Sequence, residues 1–206
     1  AIANFTNMIL PMEDEEIALL TPLGIEIYDS NNERQYRNPI SLQISEQVTD
    51  KMNFKHYMLK EIYEQPETLK NWLDNYLIEN HETGQFNIKY SFDTSFLNSI
   101  ERIEIIACGT SKHAAMVGSF LLEQFSGIPT NVFYASEFRY SPPPILPNTL
   151  TIGVTQSGET ADTIAAVSME IKRRSSFQDK KFKPKLLAIT NRTESSIGRQ
   201  ISNIID

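Results

Sequence analysis

The 206-residue chain holds one cysteine, one tryptophan and three histidines. The lone thiol, Cys108, excludes an intrachain disulfide and any zinc site of the Cys-x-x-Cys kind. A chain without disulfides fits a reducing compartment, so a cytoplasmic location is the expectation. No apolar run approaches the ~18 residues of a membrane span. The N-terminal stretch lacks the basic and apolar regions of a secretory signal. It begins with Ala1 rather than Met, as a processed or trimmed product does. Positive charge is scarce as well: 19 Lys and Arg stand against 26 Asp and Glu, a net −7. This balance argues against a nucleic-acid or anionic-membrane partner, because both need a basic patch. Two glycine-rich fingerprints are missing, Gly-x-Gly-x-x-Gly and Gly-x-x-x-x-Gly-Lys-Ser/Thr, so neither NAD nor ATP is expected.

What is present is ordinary for a soluble domain, with 40% hydrophobic and 22% charged residues. The length suits one domain, or one domain plus a piece of another. Residues 8–38 alternate apolar and polar over short runs (Ile17, Leu19; Ile25, Ile27), with turn signals at Pro22-Leu23-Gly24 and Asp29-Ser30-Asn31-Asn32. They read as β-hairpins, too few to be stable alone. Residues 38–52 read as a polar linker. Over 53–80, Met58, Ile62, Leu69, Leu73 and Leu77 share one helical face beside Trp72 and Tyr76. Pro66 predicts the start of a second helix there, because the first helical position needs no N–H. Residues 81–99 read as loop.

From residue 101 the pattern becomes strand, helix, strand, repeated. Strands are predicted at 103–107, 131–135, 150–154, 186–190 and 203–205. Helices are predicted at 111–126 (Ala114, Val117, Leu121 and Phe125 inward), at 160–174 (Ile164, Val167 and Ile171 inward) and near 195–200. Near-continuous apolar strands alternating with helices indicate a parallel sheet covered on both faces, an open α/β domain.

Two strand ends carry candidate chemistry. After the first strand come Cys108, Gly109, Thr110 and Ser111; after the third come Thr155, Gln156, Ser157, Gly158, Glu159 and Thr160. Each segment puts glycine and hydroxyls before a helix. That arrangement can cradle an anion with neutral donors and free helix N–H groups, or it can be a tight turn with hydroxyl N-caps. With strand order 2-1-3-4-5 the two segments meet at the switch point where open α/β sheets bind ligands. A small phosphorylated ligand is then the expectation. His113 reads as a solvent-facing helix position rather than a base, and Cys108 as a small hydrophobe rather than a nucleophile. His56 and His81 lack metal-ligand spacing. Glu137 and Arg139 read as a local ion pair, and the acidic run 13–16 as a solvated face.

The segments ACGTSKHAAMV, YASEFRYSPPPILPNTL, TQSGETADT and HYMLKEIYEQPETL, in their order and spacing, resemble the isomerase part of the glucosamine-6-phosphate synthase family. These are glutamine–fructose-6-phosphate aminotransferases. The resemblance covers about 53–206 as a first SIS (sugar isomerase) domain, after a linker at 39–52. Residues 1–38 are similar to the closing strands of the family's glutaminase domain. It implies a three-layer αβα sandwich with a five-stranded parallel sheet. It also implies that the phosphate of fructose 6-phosphate or glucosamine 6-phosphate sits on Ser111, Thr155, Gln156, Ser157 and Thr160, with Cys108, Gly109 and Thr110 lining the pocket near the sugar. Thr155 stands where the family usually has Ser. The family needs no metal or organic cofactor and is oligomeric, so a homodimer through the SIS domains is expected. Its glutaminase cysteine, Schiff-base Lys, catalytic Glu and partner-subunit His match nothing between 1 and 206, so this chain is expected to bind the sugar phosphate and to be inactive alone. Two other readings stay open: a non-enzymatic sugar-phosphate-sensing SIS module, and an SIS aldose–ketose isomerase complete in one domain.

Overall fold

The computed structural model describes residues 6–41, 51–80, 83–89 and 92–206. Ala1, His81 and residues 42–50 of the expected linker lie outside the described residues. The chain divides into two compact units, Ala1–Thr68 and Leu69–Asp206.

In the first unit, β1 (Met8–Ile9) pairs antiparallel with β5 (Ile40–Ser41), and β2 (Ile17–Thr21), β3 (Gly24–Tyr28) and β4 (Arg34–Gln35) form an antiparallel meander. The hairpin reading of 8–38 is met, but Ile40–Ser41, read as linker, is strand. Of the alternating apolar residues only Ile27 is buried, while Ile17, Leu20 and Ile25 are exposed. The acidic run is not merely solvated. Arg37 Nη1 donates to Glu16 Oε2 at 2.7 Å and to the Pro11 carbonyl at 3.0 Å, while its Nη2 donates to Glu16 Oε1. These bonds hold the Glu16 carboxyl below the usual carboxylate range.

Residues 57–76 form one helix, α1 (Tyr57–Tyr76), with Pro66 inside it rather than a second helix starting there. Pro66 cannot donate to the Ile62 carbonyl. The flanking residues are good helix formers, and Lys60 meets Glu64 at 3.4 Å one turn on. No α1 residue is buried, so its apolar positions are not a core face. Leu77 opens a strand instead: β6 (Leu77–Asn80) pairs antiparallel with β7 (Gln85–Ile88) through a turn at Gly84. The expected loop at 81–99 therefore contains a strand and a 3-10 turn, Ser95–Ser99. Both β7 apolar residues, Phe86 and Ile88, are exposed, so no long apolar pattern marks it.

The second unit is built on a five-stranded parallel sheet of β8 (Arg102–Ala107), β9 (Thr130–Tyr134), β10 (Thr149–Val154), β11 (Lys185–Ile189) and β12 (Ile204–Ile205). Spatial order is β12-β11-β10-β8-β9, every pair parallel, which is the order 2-1-3-4-5 that the switch-point reading requires. Helix α2 (Gly109–Ser126) covers one face. Helices α3 (Ala135–Phe138), α4 (Ala161–Ser175) and α5 (Ser196–Gln200) cover the other. Strand alternation makes the division: Ile103, Ile105, Leu150 and Ile152 pack with Ala115 and Leu122 of α2, whereas Ile106 packs with Phe138 and Ala166, and Ala188 with Val167 and Ile197.

The expected inward faces are met for α4 and reversed for α2. Val167 is buried on α4, with Ile164 and Ile171 against it. On α2 the residues that pack on the sheet are Ala115 and Leu122, and Val117, Leu121 and Phe125 are exposed along with Met116 and Phe120. Small residues let a helix approach a sheet closely, so the bulkier apolar stripe is the one left uncovered.

A buried charge cluster joins β8 to α4. Arg174 Nε donates to Glu170 Oε1 at 2.6 Å, Arg173 Nη1 to Glu170 Oε2 at 2.7 Å, and Arg174 Nη2 stands 3.7 Å from Glu104 Oε2. Arg174 and Arg173 also donate to the carbonyls of Leu146 and Pro143, fastening the proline-rich segment that leads into β10. Burial pushes the Glu104 carboxyl up, against the pull of Arg174. Its stabilising share therefore falls as pH rises through the ordinary carboxylate range, where the unfolded chain ionises first. Arg174→Met is expected to cost about 3–5 kcal/mol in urea unfolding, because Glu104 loses its partner and Glu170 keeps only Arg173. Glu104→Gln is expected to remove that part of the pH dependence.

Candidate functional site

Both candidate segments lie at the C-terminal edge of the sheet, side by side. Ala107 is in register with Val154, so the residues that follow, Cys108 and Thr155, leave adjacent strands at one level. Their helices depart to opposite faces, which opens a crevice between them.

In the first segment Cys108 is extended (φ −125°, ψ 155°) and Gly109 (φ 54°) turns the chain into α2. A side chain on Gly109 would meet nothing within 4 Å, so glycine is required for its backbone angle and keeps its surroundings open. The first intrahelical bond runs from the Lys112 N–H to the Cys108 carbonyl at 3.3 Å. The N–H groups of Gly109, Thr110 and Ser111 precede it, and no side chain caps them from Cys108. Thr110 is exposed and Ser111 half-buried. The Cys108 side chain packs beside Ile106 and Phe138, as a small hydrophobe does.

The second segment is more firmly held. Thr155 is buried, its N–H bonded to the Ile189 carbonyl at 3.1 Å and its Oγ1 2.8 Å from Thr160 Oγ1. Gln156 and Ser157 are exposed, and Ser157 Oγ accepts the Glu159 N–H at 3.1 Å. Thr160 is the N-cap residue of α4 but makes no side-chain cap bond. Hydroxyl capping thus explains neither helix start.

The two cations that flank these loops on α2 and after α3 are engaged elsewhere. Lys112 Nζ lies 3.9 Å from the centre of the Tyr134 ring, on the β9 side. Arg139 Nη1 donates to Asp162 Oδ1 at 2.7 Å, so the expected Glu137–Arg139 pair is replaced by a link from α3 to α4. Glu137 instead accepts the N–H groups of Tyr140 and Ser141 on its carbonyl. His113 is exposed on α2, and His56 is exposed in the first unit. Among the described residues no group of three or more His, Cys, Asp or Glu could hold a metal ion.

Sequence reasoning missed the segment after β11. The Asn191 N–H donates to the Gln156 carbonyl at 3.2 Å, Thr190 Oγ1 reaches the same carbonyl at 3.4 Å, and the Ile197 N–H donates to the Gly158 carbonyl at 3.1 Å. The Ser196 N–H donates to Glu159 Oε1 at 2.8 Å. Bonding from Ser196 holds the Glu159 carboxyl below the usual carboxylate range, with a smaller pull from Arg199. The available signal was a third polar run at a strand end, Thr190 to Ser195, beside the strand that carries the second loop.

A family model described as "SIS domain" matches residues 96–206. The chain belongs to the SIS domain family. Along its whole length this SIS-domain chain is 52% identical to a glutamine–fructose-6-phosphate aminotransferase (isomerizing) of Thermosynechococcus vestitus and 47% identical to one of Synechocystis sp.. It spans about a third of either relative, 33% in each case. Among solved structures it is similar to the C-terminal domain of glucosamine-fructose-6-phosphate aminotransferase from Francisella tularensis, at 31% identity and a TM-score of 0.64. That match covers 75% of this chain and 40% of the other.

Gly158 is the tightest point of the second loop of this SIS domain. Its φ is 69°, and a Cβ there would stand 1.9 Å from Ser195 Oγ. Gly158→Ala is expected to cost at least about 2 kcal/mol in urea unfolding, from a left-handed backbone and a clash together. A Gly109→Ala variant, strained but unclashed, is expected to lose less.

Proposed function

We propose that this chain supplies the hexose-phosphate pocket of an enzyme that makes glucosamine 6-phosphate from fructose 6-phosphate and glutamine. The observation that carries the reading is the pair of hydroxyl-rich loops at the C-terminal ends of adjacent strands β8 and β10, each opening a helix without a side-chain cap. A phosphate ester placed there meets helix N–H groups of α2 and the hydroxyls of Ser111, Ser157 and Thr160, with Thr155 and Gln156 alongside. Cys108, Gly109 and Thr110 line the side nearer the sugar. The names of the relatives that match the whole chain support the same reaction class.

In that reaction ring opening, imine formation and proton movement between C1 and C2 need general acids and bases. This chain's part is to anchor the remote phosphate, so that binding energy far from the reacting carbons fixes the sugar in place. Residues 1–38 belong in this reading to the end of a glutaminase-type domain, 39–52 to its connection, and 53–206 to the sugar-phosphate domain. Pairing of two copies through that domain and a cytoplasmic setting complete it. The uncovered apolar face of α2 is surface of the kind that such pairing removes from water.

Calorimetry with fructose 6-phosphate and with fructose tests the anchor. The phosphorylated sugar is expected to bind and the unphosphorylated one to fail at the same concentration; equal behaviour of the two sinks the reading. Ser157→Ala is expected to weaken fructose 6-phosphate binding by about 1–2 kcal/mol, the worth of one hydrogen bond to a charged group.

A further inference from the structure

We infer that Glu159 is a positioning residue, which holds the loop Thr155–Thr160 in its ligand-receiving form by accepting the N–H of Ser196. The inference rests on the phosphate-anchor reading of that loop. A carboxylate inside an anion loop is out of place on charge alone, because like charges repel across a few ångströms. Glu159 escapes this by turning out of the loop to the segment that follows β11. There the Ser196 N–H meets Oε1 at 2.8 Å. Arg199 stands on the same short helix, its Nη2 bonded to Ser196 Oγ at 2.9 Å, and supplies the nearby positive charge.

The contact acts on the loop through one residue. The Glu159 N–H is the donor that fixes Ser157 Oγ, at 3.1 Å. With that oxygen accepting from Glu159, the Ser157 hydroxyl proton is left to donate outward. Glu159 therefore ties a proposed phosphate donor, through its own backbone, to a rigid neighbour, through its side chain. The other ties between the loop and the β11–α5 stretch are made by loop backbone: the Thr155 N–H to the Ile189 carbonyl, and the carbonyls of Gln156 and Gly158. Among the described residues Glu159 is the loop side chain seen to reach that segment.

Removing either end of the contact gives the test. Glu159→Ala deletes the acceptor. Ser196→Pro deletes the donor, at the first position of α5 where proline fits a helix. The preceding Ser195 is already extended (φ −70°, ψ 173°), as a residue before proline must be. Glu159→Gln keeps an oxygen acceptor and loses the charge. Binding of fructose 6-phosphate and of fructose to the full 206-residue chain is measured by calorimetry, with thermal unfolding of each variant alongside.

Glu159→Ala and Ser196→Pro are each expected to weaken fructose 6-phosphate binding about tenfold, the scale of one hydrogen bond held by a charged acceptor. The double variant is expected to be no more than about twofold worse than either single, since both remove one interaction. Glu159→Gln is expected to stay within about threefold of the parent, because its amide oxygen still accepts. Unchanged affinity in both single variants, losses that multiply in the double, or a Gln variant as weak as the Ala variant overturns the inference. A parent chain that binds fructose and its phosphate alike instead overturns the anchor reading on which it rests.

Discussion

The parallel pairing of β8 with β10 is the constraint on which the rest of the second unit depends. Because Ala107 lies in register with Val154, two loops separated by almost fifty positions in the chain begin at the same level on adjacent strands. Parallel neighbours need a crossover, and the connection between these two passes through β9 on the far side. The reversal of direction at β8 sends α2 to one face and α4 to the other. Had β10 slipped by one residue against β8, its apolar residues would have changed faces, and Gly153 would no longer lie against Val167 and Ile197.

The same register explains an unusual core. Thr151 and Glu104 lie opposite each other on the α4 face of two neighbouring strands. Both are buried. A buried carboxylate needs a countercharge, and α4 brings Arg174 within 3.7 Å of Glu104, with Glu170 beside it, while Thr151 Oγ1 has no hydrogen-bond partner. The arginines then reach past the sheet to the Pro143 and Leu146 carbonyls. A polar patch in the middle of the sheet thus fixes the rigid segment that feeds the very strand carrying the second loop.

The parallel sheet was legible because runs such as Ile103–Ala107 and Leu150–Val154 are mostly apolar, broken only by Glu104 in the first and by Thr151 and Gly153 in the second, and are followed by glycine and hydroxyls. Strand order was not legible: the order 2-1-3-4-5 was a condition of the switch-point reading, and the sheet meets it. The inward face of α2 was misread because most of its bulky apolar residues are on the uncovered side, while Ala115 and Leu122 make the contact. Pro66 misled because its cost in a helix interior is a few kcal/mol, which helix-forming neighbours can outweigh. Both candidate loops were visible as motifs. The bracing from Thr190, Asn191 and Ser196 was not, because each of its bonds has a backbone group at one end or both and joins segments about 35 positions apart. Such bonds leave no trace in residue type. The task of Glu159 was not legible, since a carboxylate's partner cannot be read from its neighbours in the chain.

Hydroxyls and backbone N–H groups have one further property: they do not titrate near neutrality. Glu159 is held ionised by its partners. A phosphate monoester has its second ionisation near pH ~6. For an ester seated on these loops, the guest thus brings an ionisation between roughly pH 5 and 8 that the hydroxyls and N–H groups receiving it do not have.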